Sequence, residues 1–81
     1  MNKIQEKILH FLGSRVIMNG NHMTAINYGL GDLFEKIRGN HQEIEEALKH
    51  LNELGYVVLK SNNKVAYLSL KGYDYYKQES K

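Results

Sequence analysis

An 81-residue chain with 42% hydrophobic and 25% charged residues has the composition of one small globular domain, near the lower size limit for a self-sufficient core. It contains no cysteine, which excludes a disulfide framework and a thiolate metal site, and no apolar run near the ~20 residues that span a membrane. The net charge of +2 names no partner, but its distribution is uneven: the hairpin region and both ends are basic, and the middle carries Glu43, Glu45, Glu46 and Glu53.

The charged, amide-rich start (MNKIQEKILH) is unlike a signal peptide, so a cytoplasmic protein is expected. Ile4, Ile8, Phe11, Leu12 and Val16 form a helical stripe, which predicts a first helix over residues 3–18. Gly13 lies inside it, at a cost of about 1 kcal/mol relative to alanine, and allows close packing. Asn19-Gly20-Asn21 is turn chemistry, residues 22–26 read as a short extended piece, and Asn27-Tyr28-Gly29 breaks it. Leu30, Leu33, Phe34 and Ile37 predict a short second helix over residues 30–37.

A third helix is predicted over residues 41–54. Ile44, Ala47, Leu48, Leu51 and Leu54 recur at intervals of three and four, and Gly55 can take the left-handed cap conformation. Residues 56–59 and 65–68 read as strands, joined by the polar turn Lys60-Ser61-Asn62-Asn63-Lys64. Ser69 is placed to cap a last helix over residues 69–78, with Leu70, Tyr73 and either Tyr76 or Lys77 inward and Tyr75 outward. The expected class is α+β, in a single domain over residues 1–81.

Three stretches carry a resemblance. The first is the short helix, the turn Arg38-Gly39-Asn40 and the longer helix that follows. The second is Leu48-Lys49-His50-Leu51-Asn52-Glu53-Leu54-Gly55-Tyr56-Val57, and the third is Tyr67-Leu68-Ser69-Leu70-Lys71-Gly72. In this order the chain resembles the winged helix-turn-helix family, including multiple-antibiotic-resistance-type (MarR-like) regulators. The resemblance implies a three-helix core, a β-hairpin wing and a C-terminal helix. It further implies a third helix that enters the major groove of duplex DNA and a wing that touches the backbone or the minor groove.

On that reading Asn40 and Gln42 can read adenine, and Lys49 can reach guanine or phosphate. Lys60, Asn62, Asn63 and Lys64 suit groove and phosphate contacts, and Arg38, with Lys36, suits the backbone. Each has a plainer reading as a solvated surface residue. The acidic helix face opposes the DNA reading, because DNA presents dense negative charge. Glutamates in the first turns also simply favour the helix macrodipole. Two functions are therefore carried forward: a DNA-binding transcriptional regulator, or a winged-helix module that binds a protein partner through its acidic third helix.

Ile17, Met18 and an exposed Tyr75 would suit a homodimer contact between terminal helices. His10, His22, His41 and His50 lack metal-ligand spacing, His41 reading as a partial helix cap and His50 as a surface residue. No nucleophile or phosphate-loop motif appears. Neither a cofactor nor a catalytic activity is expected.

Overall fold

The computed structural model describes residues 1–79; Ser80 and Lys81, the end of the basic C-terminal segment, lie outside the described residues. These form four helices and two small antiparallel sheets. In chain order they are α1 (Lys3–Gly13), β1 (Ile17–Asn19), β2 (His22–Thr24), β3 (Tyr28–Gly29), α2 (Leu30–Lys36), α3 (His41–Glu53), β4 (Val57–Lys60), β5 (Val65–Leu68) and α4 (Leu70–Glu79).

Helix α1 starts on a reciprocal cap. The Asn2 side chain accepts from the Gln5 N–H, and the Gln5 side chain accepts from the Asn2 N–H. It stops at Gly13, not at residue 18. Val16-Ile17-Met18 instead leads into a two-stranded ribbon with Ile17 opposite Thr24 and Met18 opposite Met23. Two forces favour the ribbon: β-branched residues fit extended backbone, and the Asn19-Gly20-Asn21 turn brings a partner strand into register. Ile17 and Met18 therefore sit on an exposed ribbon, not on a helix end.

The second sheet runs β3-β5-β4, with Val57 opposite Leu68 and Tyr28 opposite Ala66. Strand β3 corrects the expectation of a break at Asn27-Tyr28-Gly29. Its two residues pair with the distant β5, Tyr28 opposite Ala66 and Gly29 opposite Val65, and the Leu30 N–H extends the ladder to the Lys64 carbonyl at 2.8 Å. The start of α2 is thereby tied to the base of the β4–β5 hairpin.

The core draws Ile8, Leu9 and Leu12 from α1, Leu33 from α2, four residues of α3, and Val57, Ala66 and Leu68 from the sheet. The α3 contribution is Ile44, Ala47, Leu48 and Leu51, as its spacing predicted. Leu54 is the C-cap and is exposed. It has turned out of the helical stripe, and its carbonyl accepts from Lys71 Nζ at 2.8 Å. Gly55 adopts φ +82°, the left-handed cap its position called for.

Helix α4 departs most from its expected face. Leu70 is 63% exposed, whereas Gly72 is buried and Tyr73 and Tyr75 pack against the core. Ser69 caps the helix as expected, accepting from the Gly72 N–H at 3.0 Å and also donating to the Gly55 carbonyl. A glycine is needed at 72 because the Tyr56 carbonyl passes directly against it, and that close approach sets which side of α4 faces inward.

A second close approach joins α1 to α4. A Cβ at Gly13 would lie 2.3 Å from the Tyr76 ring. Gly13→Ala is therefore expected to destabilise the fold by about 1–3 kcal/mol, the usual range for overpacking. With Tyr76→Ala already present, the same change should be neutral or stabilising. Thermal melts of the four proteins in this cycle check the sign reversal; an additive pair would show that the ring is not the obstacle.

Candidate nucleic-acid interface

Helix α3 presents Gln42, Glu43, Glu45, Glu46, Lys49 and His50 to solvent. Its start is pinned twice. The Asn40 side chain accepts from the Gln42 N–H at 2.8 Å, so Asn40 rather than His41 is the cap. The His41 ring instead lies flat on Phe34, with centroids 3.9 Å apart and planes 3° from parallel. Gln42 donates its side-chain amide to Glu46 at 3.3 Å. The Asn40 oxygen and the Gln42 amide, two groups expected to read bases, are thus engaged within the helix.

The hairpin tip is unusual. Ser61, Asn62 and Asn63 all have positive φ, between 54° and 66°. Three consecutive non-glycine residues in the left-handed region carry strain, least at asparagine, whose side chain tolerates that conformation. The tip closes with the Lys64 N–H donating to the Lys60 carbonyl at 3.1 Å. Its curl carries Asn62, Asn63 and Lys64 toward α3.

Between α3 and the tip lies a notch of about 270 Å³. It gathers Lys49, Asn62, Asn63 and Lys64 around Glu45, over a floor of Leu30, Leu48 and Leu59. Two ammonium groups and two amides suit phosphate oxygens and base edges, and Glu45 can accept from a cytosine amino group. Leu48 is almost fully buried, so the floor is an extension of the core.

The remaining residues expected in the interface lie elsewhere. Lys60 points to the other side of the hairpin, its Nζ 5.1 Å from the Tyr67 ring centre, in a groove shared with Met23 and Val58. Arg38 lines a separate cleft between α1 and the end of α2, with Lys36. The expected sites therefore fall into a notch, a hairpin flank and a cleft. Sequence spacing did not mark Glu45 as the carboxylate inside the notch. That follows from the packing of the hairpin tip beside α3, which brings residues 62–64 next to Glu45 and Lys49.

Tyr75 is not outward. Its ring stacks on Tyr56 with centroids 5.0 Å apart, and it shares a cleft with Glu6, His10 and Glu79 between α1 and α4. Burial raises its phenol pKa above the ordinary 10.0, and the charges of Glu79 and Glu6 and the neighbouring Tyr56 push the same way. Ile17 and Met18 lie on the β1–β2 ribbon and do not line that cleft. The three residues of the expected dimer contact are thus spread over two elements, one ring being half-buried.

Among the described residues no three His, Asp or Glu side chains come together to hold a metal ion, and no helix is long and apolar enough to cross a membrane. No family model, curated protein or solved structure matches the chain.

Proposed function

We propose that the chain is a winged-helix protein that binds duplex DNA, with α3 and the β4–β5 hairpin as its contact surface, and that it acts as a transcriptional regulator. The observation that carries this reading is the notch, where Lys49, Asn62, Asn63 and Lys64 converge from two separate elements. The element order and the β3-β5-β4 sheet are compatible with a winged helix and support it further. Lys60 adds a cation on the hairpin's other flank. In this reading the hairpin supplies more affinity than α3, because Glu43, Glu45 and Glu46 weaken attraction to phosphate.

A titration of mixed-sequence duplex DNA followed by fluorescence anisotropy tests the reading. Binding should weaken as salt rises, and Lys60→Ala with Lys64→Ala should lower the salt slope by about 0.9 for each phosphate contact removed. Absence of binding at low salt would sink the proposal. The exposed carboxylates of α3 favour a second reading, a winged-helix module that binds a basic protein partner. That reading predicts no DNA binding and a partner interaction lost on Glu43→Gln with Glu46→Gln. A homodimer is proposed with either function; light scattering of the wild type and of Ile17→Ser with Met18→Ser checks it.

A further inference from the structure

The largest concentration of positive charge lies away from the notch. Lys3, Lys7, Arg15, Lys36 and Arg38, five of the chain's eleven lysines and arginines, line one cleft of about 670 Å³ between α1 and the end of α2. One carboxylate, Glu6, shares it. All five cations are exposed.

The arrangement follows from the two helices. Lys3 and Lys7 lie one turn apart on α1, and Ser14 and Arg15 follow directly past its last residue. Helix α1, 11 residues long, extends roughly 16 Å at 1.5 Å per residue, with Arg15 just past its end. Buried Ile37 anchors the end of α2 against the core and brings Lys36 and Arg38 to the facing wall. Two cationic walls therefore bound one groove.

One of these charges is held in place. The Arg15 guanidinium lies 3.8 Å over the Phe11 ring and donates to the Phe11 carbonyl at 3.3 Å and to Ser14 Oγ at 3.0 Å. A guanidinium fixed in this way loses little freedom on binding, and its planar fork matches phosphate oxygens. The groove also borders α3: Lys3 lines a second depression with Glu43, Glu46 and His50. The acidic face of α3 is thus flanked by cations on both sides, the hairpin on one and α1 on the other.

We propose that the α1–α2 cleft binds the phosphodiester backbone of duplex DNA, through Lys3, Lys7, Arg15, Lys36 and Arg38. This rests on the DNA-binding reading and adds to it a second, larger phosphate contact outside the helix–hairpin notch. Cations spread along the roughly 16 Å of α1 and just past its end match several successive phosphates, which advance about 3.4 Å along the axis per nucleotide of one strand. The acidic α3 of a second copy is the competing occupant, and the test separates the two.

The test compares wild type, a cleft variant (Lys3→Gln, Lys7→Gln and Lys36→Gln) and a hairpin variant (Lys60→Ala with Lys64→Ala). Each is titrated with a 20-base-pair mixed duplex at several salt concentrations, with thermal melts confirming equal folding. The cleft variant should bind about tenfold or more weakly at low salt, and its salt slope should fall by about 0.9 per lost contact. If the cleft variant matches wild type while the hairpin variant weakens, the cleft proposal is overturned and the DNA reading stands. If the cleft variant weakens and the hairpin variant does not, the cleft proposal holds and the hairpin contact fails. Wild type without DNA binding overturns both; salt-sensitive self-association lost in the cleft variant would then identify the second copy as the occupant.

Discussion

Gly72→Ala should lower the melting temperature by roughly 10–25 °C, the equivalent of about 3 kcal/mol or more in a chain of this size. In an ordinary helix the same change stabilises by about 1 kcal/mol, so the expected sign is reversed. The reason is contact with backbone. An added Cβ would lie 2.1 Å from the Tyr56 carbonyl oxygen and 2.7 Å from Leu68 Cδ1. Tyr56 cannot retreat cheaply, because its carbonyl accepts from the Ser69 N–H at 3.0 Å and its N–H donates to the Leu51 carbonyl at 2.9 Å. Helix α4 would have to lift, and Tyr73 and Tyr75 would lose their packing on the core. A melting temperature equal to or above wild type would refute this account of the α4 face.

Leu51→Ala should cost about 2–5 kcal/mol, because Leu51, in the last turn of α3, is fully buried and its loss leaves a cavity. For a domain of this length the whole folding free energy is about 4–12 kcal/mol, so the variant would be marginal. Leu70→Ala is the control. Leu70 is 63% exposed, and its truncation should stay within about 0.5 kcal/mol of wild type. Urea unfolding of the two variants measures the contrast. Equal effects would mean that α4 presents Leu70, not Gly72, to the core.

These two predictions also separate what local sequence can reveal from what it cannot. The α3 stripe, the Gly55 cap, the β5 strand and the Ser69 cap are signals within a few residues of one another, and each was legible. The Tyr67-Leu68-Ser69-Leu70-Lys71-Gly72 stretch was legible as a strand-to-helix exit but not for its full role. Ser69 and Lys71 reach back to the carbonyls of Gly55 and Leu54, and Gly72 admits Tyr56. That stretch is the joint between the α3–β4 corner and the last helix.

The misses share one cause. Helical spacing extends the α1 stripe through Val16, but the Asn19-Gly20-Asn21 turn and β2 hold Ile17 and Met18 in a ribbon. Strand β3 is only two residues long and exists because β5 lies beside it. Tyr75 turns inward because Tyr56 is there to stack on. Each outcome depends on a partner distant along the chain or on a competing local pairing, which periodicity does not weigh.

The candidate surfaces divide in the same way. By itself the sequence determined an α+β chain, its acidic third helix, the polar hairpin tip and the basic character of its first helix, because composition and short-range spacing set those properties. Tertiary structure alone decided which charges meet. It brought Lys49 to Asn62, Asn63 and Lys64 across α3 and the hairpin, and it set Arg38 apart from them, facing Lys3 and Lys7. Electrostatic fields add over distance in space, not along the chain, so a nearly neutral sequence can fold into two basic surfaces on either side of an acidic helix.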